Sequence, residues 1–405
     1  MQIHFKALLG AISDALDYVE GSLFGAVKNH AKRVAYISAV MGKKAGTEPD
    51  HITCLAACAL LHDNALTEYI RAEQNAGFDV LQNPEYTKLA EHCVLGEKNI
   101  SVLPFYSHIR NVILYHHERA DGKGPFAKSP ADVPLFARII HLADMVDIGF
   151  NPQKNLPDKK ETLIEYIRNA TGTQFDRNTA GLFLDCLEEY DLLAQIAAHD
   201  AGQLLADSFA DTVGEYGLNE VIGMADIFAK IIDYKSSFTC AHSTGIASKA
   251  YRMAQFYRWD TDKQAAYYLA GALHDIGKLA IDTAILEKPG ALTPQEFTEM
   301  KRHASITREI LHQVPGFEDI TRWAANHHEK LDGTGYPLGL SAKDLSKEER
   351  LMACIDMYQA LRESRPYKAE FPHAEAIRIL SQHAQDGKLD ADIVADIDAC
   401  FGAES

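Results

Sequence analysis

Ala59-Leu60-Leu61-His62-Asp63 and Ala272-Leu273-His274-Asp275 are one phrase written twice in a chain of 405 residues. Outward from each copy the histidines fall into matching series. The first runs His30, His62-Asp63, His92, His116-His117 and Asp144. The second runs His242, His274-Asp275, His303, His327-His328 and Asp356. Successive gaps are 32 and 32, 30 and 29, 24 and 24, then 27 and 28 from the second histidine of the pair to the last aspartate. Four intervals held this closely mark an internal duplication, the feature to look for before any local assignment. His116-His117-Glu118-Arg119-Ala120-Asp121-Gly122 likewise echoes His327-His328-Glu329-Lys330-Leu331-Asp332-Gly333. The duplication places one domain over 1–200 and a second over 201–405, which suits a chain too long for one core.

Around these residues the pattern is helical. Ala265, Leu269 and Leu273 lead an apolar helix up to His274. Thr293-Pro294-Gln295-Glu296 reads as a capping box with proline at the first helical position, and Phe297, Met300 and Ile310 follow at helical spacing. His303, three residues past Met300, then sits on or beside a buried stripe. The expectation is all-α: two tandem helical bundles with ligands pointing inward from several helices. The Leu-, Ala-, Asp- and Glu-rich stretch from Gly181 to Glu220 reads as one or two connecting helices.

Composition narrows the function. With 47% hydrophobic and 24% charged residues the chain is an ordinary globular one. A net charge of −17 and the lack of a basic run exclude a broad DNA- or RNA-binding surface, so a phosphate-bearing partner must be gripped locally. The longest apolar stretch, Ile52 to Leu61, is half of the roughly 20 residues that span a bilayer, and no signal-peptide pattern opens the chain. We expect a cytoplasmic protein without a membrane partner. Its seven cysteines form no paired framework and are expected to be reduced. Cys54, Cys58 and His62 share a helical spacing, but two small core residues on a buried face explain the cysteines.

Five imidazoles and two carboxylates per half, with no thiolate, suit borderline or harder divalent ions: iron or manganese first, nickel or zinc next. Seven ligands exceed the needs of one ion, so two per site is the natural count, with Asp275, next to His274, placed to bridge. A pair of ions roughly 3.5–4 Å apart activates water and neutralises developing oxyanions at phosphorus, the chemistry of a phosphoester hydrolase.

The second half resembles the HD-GYP branch of the HD superfamily of metal-dependent phosphohydrolases over about 180 residues. The resemblance rests on His274-Asp275-Ile276-Gly277-Lys278, Glu287-Lys288-Pro289-Gly290 with Leu292 and Thr293, His303, the eleven residues from His327 to Pro337, and Asp356 with Arg365-Pro366-Tyr367. It implies hydrolysis of a 3′,5′-phosphodiester bond of cyclic di-GMP or 3′3′-cyclic GMP-AMP to a linear 5′-phosphorylated dinucleotide. One ion would take His242, His274 and Asp356, the other His303, His327 and His328, with Asp275 bridging as a catalytic residue. Lys278 would hold a phosphate oxygen, Gly335, Tyr336 and Pro337 would rim the pocket, and Arg365 and Lys368 would contact the ligand's phosphates. Phe238 stands where some relatives place a glutamate for a third ion, which implies two.

The first half keeps His30, His62, Asp63, His92, His116, His117 and Asp144 as a second candidate metal site. It has Leu66 in place of Lys278, Gly124-Pro125-Phe126 in place of Gly-Tyr-Pro, and Gln153 and Leu156 in place of Arg365 and Lys368. Three readings stand open for it: a phosphohydrolase trimming a smaller ester, such as the 5′-phosphate of the other domain's product, a ligand-sensing regulator, or a structural half. For the whole chain the alternatives are an HD-type nucleotidase and a non-catalytic cyclic dinucleotide receptor. The choice between the two cyclic dinucleotides, the metal and the oligomeric state stay open.

Overall fold

The computed structural model describes residues 1–24, 29–66, 69, 89–103, 105–150, 160–208, 213–233, 235, 242–364 and 370–402. Arg365, Lys368, Phe238, Gln153 and Leu156 lie outside these. The described chain is helical apart from one antiparallel pair of three-residue strands, Gln2–His4 with Val213–Glu215. By their contacts the residues divide into Phe5–Thr212 and a second unit of Val213–Ser405 joined by Met1–His4.

In the first unit the helix His30–Lys44 is the hub. Helices Pro49–Leu60, Leu135–Phe150, Arg177–Glu189 and Ala201–Ser208 pack on it, and every residue from His30 to Gly42 is buried. Alanines at 31, 35 and 39 keep its surface thin enough for neighbours on all sides. The two charges this buries are paired, Lys32 with Asp14 at 2.6 Å and Arg33 with Asp147 at 2.6 Å.

The second unit packs His242–Phe256 against Thr261–Leu273, with Leu218–Asp233 behind and Lys347–Arg362 across. Pro294–Leu311 lies on the short 3-10 turn Ile276–Ala280, and Glu318–Ala325 closes the bundle. The capping box forms as read: Thr293 accepts from Glu296 N while the Glu296 carboxylate accepts from Thr293 N. The apolar stripe of that helix is shorter than its spacing suggests. His303 and Ile310 are buried, but Phe297 is 47% exposed, because the first helical turn projects past the core. The stretch from Gly181 to Glu220 holds more than one or two helices: most of Arg177–Glu189, then Leu192–Ala198 and Ala201–Ser208, strand Val213–Glu215, too short to show alternation in sequence, and the start of Leu218–Asp233.

A candidate metal centre in each unit

In both units the first histidine opens a helix, and a carboxylate from the preceding helix caps it. Asp17 accepts from Asn29 N and Ala31 N, and Asp233 accepts from Ser243 N at 3.1 Å and from the Thr244 hydroxyl. These acceptors satisfy amides that a helix start leaves unpaired, and so fix where His30 and His242 emerge. Burial pushes Asp17 up to about 6.

The other second-unit residues arrive from separate elements. His274 ends helix Thr261–Leu273, Asp275 follows it, His303 is mid-helix, His327 and His328 follow Glu318–Ala325, and Asp356 lies on Lys347–Arg362. Three histidines have their ring orientation set by a carbonyl three residues back. Nδ1 of His274, His303 and His327 donates to Gly271 O, Met300 O and Ala324 O at 2.6 to 2.7 Å. A carbonyl only accepts, so the proton is on Nδ1 and Nε2 presents a bare lone pair to the centre, as a metal ligand needs. His62 and His116 do the same against Ala59 O and Ile113 O.

Donor atoms of His242, His274 and Asp356 cluster within 4.8 Å of one another, as do those of His303, His327 and His328. Asp275 lies between the two groups. Its Oδ2 is 3.1 Å from His274 Nε2 and 3.7 Å from His242 Nε2. Its Oδ1 is 3.5 Å from His303 Nε2 and 3.8 Å from His327 Nε2. Lys278 Nζ is 2.5 Å from the same Oδ2.

Burial and neighbouring charges shape the protonation states. Burial drives His303 down to about 4 and His328 down to about 3, and holds His327 far below its ordinary value. Burial also works against a charge on His242, but bonds to Asp356 and Glu363 outweigh it and raise it to about 9. Against its own burial, Asp275 is held well below the carboxylate range by His274 and Lys278. His303, His327 and His328, neutral beside ionised Asp275 and Asp356, are ready for a cation, while His242 must give up its proton to one. His274 Nε2 and Asp275 Oδ1 are buried without a hydrogen-bond partner among the described residues, a cost that a bound ion would remove.

The first unit reproduces the arrangement. Asp63, His92, His116 and His117 form one group and His30, His62 and Asp144 another. Asp63 again divides its oxygens, Oδ2 at 3.4 Å from His62 and Oδ1 at 3.0 Å from His92. Buried atoms without a partner recur at His62 Nε2, His92 Nε2, His116 Nε2 and Asp144 Oδ1. Buried Leu66 occupies the place of Lys278. Cys54 and Cys58 are buried thiols, pushed up by burial, and belong to neither group.

The loop after each histidine pair is built around a buried glutamate that the sequence reading passed over. Glu329 accepts from Leu338 N, Gly339 N and Leu340 N at 2.6, 3.2 and 2.9 Å. Glu118 accepts from Phe126 N and Lys128 N at 2.6 and 2.8 Å. Gly335 permits this wrap, since a Cβ there would stand 2.5 Å from Glu329 Cα and 2.6 Å from His328 O. Tyr336 then lies with its ring 4.7 Å from that of His328. Also unanticipated are carboxylates behind the first histidine of each unit. Glu363 lies 3.0 Å from His242 Nδ1, and Asp147 lies 2.7 Å from His30 Nδ1.

An all-helical bundle whose interior gathers histidines and aspartates from five elements defines a metal-binding helical protein, and such a scaffold is shared by hydrolases of phosphate esters. A profile of the HD domain matches residues 22–178 and 226–393, and the chain belongs to the HD domain family. It is 29% identical over 375 residues to 3′3′-cGAMP-specific phosphodiesterase 1 of Vibrio cholerae, covering 90% of this chain and 85% of that one. It is 31% identical over 312 residues to 3′3′-cGAMP-specific phosphodiesterase 3 of the same organism, covering 75% and 66%. A cyclic di-GMP phosphodiesterase of Thermotoga maritima is 34% identical over 166 residues, 40% of this chain and 45% of its own. In fold, the chain matches a crystal structure of a cyclic GMP-AMP-specific phosphodiesterase of V. cholerae with a TM-score of 0.67 and 23% identity, over 100% and 99% of the two chains.

Proposed function

We propose that the second unit hydrolyses a 3′,5′-phosphodiester bond of a cyclic dinucleotide, cyclic GMP-AMP or cyclic di-GMP, to a linear 5′-phosphorylated dinucleotide. The observation that carries this is Asp275, whose two oxygens face two separate groups of imidazoles. That is the donor set for two divalent ions, iron or manganese, which would supply Lewis acidity and an activated water. His242, His274 and Asp356 would hold one, His303, His327 and His328 the other, with Asp275 shared.

The chain's own groups supply the remainder. Lys278, already at the shared carboxylate, is within reach of a phosphate oxygen lying over the centre and offsets charge that builds there. Gly335, Tyr336 and Pro337 wall one side and exclude water. Arg365 and Lys368 are proposed from their sequence positions to take the ligand's phosphates.

For the first unit, a complete ligand set without the lysine favours hydrolysis of a phosphomonoester, such as the 5′-phosphate of the other unit's product. Seven ligands pointed at one another, five of them buried, are costly to retain for scaffolding alone. We place the protein in the cytoplasm. Among the described residues no helix is long and apolar enough to cross a membrane.

The test is a product assay with Mn²⁺ or Fe²⁺, offering each cyclic dinucleotide and resolving products by chromatography. Asp275→Ala is expected to abolish ring opening, and Asp63→Ala to let the 5′-phosphorylated linear product accumulate. Failure of the unmodified protein to open either ring under any metal would leave a receptor or a nucleotidase.

A further inference from the structure

Phe297 is a large aromatic ring at 47% exposure, and single exposed apolar residues are ordinary. Its company is not. Its ring lies 6.4 Å from that of Tyr336 with the planes at 84°. Tyr336 itself is 4.7 Å from His328 and 6.3 Å from His303. Lys301, one turn further along the helix, holds its ammonium 5.2 Å from the Phe297 ring and 5.9 Å from the Tyr336 ring. Two aromatic surfaces at right angles and one cation thus form a corner that begins at the metal centre and leads away from it.

We propose that this corner is a purine subsite that selects guanine. It rests on the phosphodiesterase reading and extends it to a base. A nucleobase is one ribose from its phosphate, and Tyr336 and Phe297 are one and two ring steps from His328, so a phosphodiester at the centre brings a base onto them. Aromatic faces accept any base by stacking. Lys301 adds discrimination, because an ammonium only donates. Guanine offers O6 and N7 as adjacent acceptors, whereas adenine pairs N7 with a donor amine. The corner belongs to the second unit alone: counting back 211 residues, Ala90 stands at the place of Lys301 and Pro125 at that of Tyr336.

The rival explanation is a helix-stabilising i, i+4 pair between Phe297 and Lys301. Steady-state kinetics of the full, metal-loaded chain separate the two, using cyclic di-GMP, cyclic GMP-AMP and cyclic di-AMP, with metal content and melting temperature recorded alongside. Phe297→Ala should raise KM for every substrate by about tenfold, within the range for losing one stacked base, with metal content unaltered. Lys301→Met should raise KM for the guanine-bearing substrates and narrow their advantage over cyclic di-AMP. KM values within twofold of the unmodified protein in both variants, or a drop in melting temperature without a change in KM, would overturn the subsite while leaving the phosphodiesterase standing. An unmodified protein that opens none of the three rings would overturn both.

Discussion

Replacing Gly277 by alanine tests how tightly the second centre is built. A Cβ at this position would lie 2.0 Å from His303 O and 2.8 Å from Thr307 N. Real Cβ atoms essentially never approach below 3.0 Å, so the 3-10 turn and helix Pro294–Leu311 must separate by at least 1.0 Å. Both obstacles are backbone, and no side chain can swing aside. Overpacking of this kind costs about 1–3 kcal/mol, and an unyielding backbone puts it near the upper end. For a unit of this size about 3 kcal/mol lowers the melting temperature by roughly 6–12 °C. The separation also acts on the ligands, because Gly277 is two residues from Asp275, and the opposing carbonyl belongs to His303, 3.5 Å from Asp275 Oδ1. We therefore expect Gly277→Ala to melt early and to lose metal during gel filtration, measured by calorimetry and by elemental analysis of the eluted protein. Gly10→Ala, in open space on helix Phe5–Phe24, should do neither. A Gly277→Ala protein that melts with the unmodified chain and keeps its metal would refute the reasoning.

Three further outcomes follow from the same geometry. Glu363→Ala should weaken metal retention in the second unit about 10–100-fold against a chelator, with Glu363→Asp recovering part of it, since the carboxylate orients His242. Glu329→Gln leaves three loop amides with one good acceptor, so the unfolding free energy should fall by about 2 kcal/mol in urea melts and amide exchange at Leu338 and Leu340 should quicken. Asp17, raised to about 6, supports folding fully below its unfolded value near 3.8 and loses that support as pH rises through 6. Asp17→Asn should accordingly be the more stable protein at pH 7, with the difference gone by pH 4 in urea melts.

What the sequence made legible was whatever recurs at fixed spacing. Fourteen candidate ligands were found because both halves keep their intervals, and the capping box because its bonds are local. The supports were hidden for a physical reason. Glu363 reaches His242 across 121 positions and Asp147 reaches His30 across 117, and they stand at different distances from the metal-facing aspartate, seven residues after Asp356 but three after Asp144. No comparison of the two halves aligns them. Glu329 and Glu118 could have been found, since His-His-Glu is repeated in both halves. Phe297 misled because helical spacing records which face a residue is on, not whether the core extends far enough along the helix to cover it.

The differences between the halves are themselves ordered. In the first unit Arg33 and Asp147 are one buried pair, the guanidinium meeting both carboxylate oxygens while Asp147 holds His30. The second unit has Gly245 at the position of Arg33, three residues after the first histidine, and Gln359 at that of Asp147. A Cβ on Gly245 would stand 2.3 Å from the Gln359 amide, so the glycine is what lets Gln359 fit, and that amide donates to Glu363. The carboxylate has moved one helical turn along the same face, and glutamate's extra methylene suits the longer reach back to histidine. A second exchange follows the same logic. Gly277 lies against Thr307 in one unit, while in the other Ala65 lies beside Gly96, so the glycine of the pair changes sides. Paired changes that preserve ligand placement are what selection on ligand geometry leaves behind. Both units thus keep the geometry to hold ions, and they part where Lys278 reaches the shared carboxylate in one and buried Leu66 stands in the other.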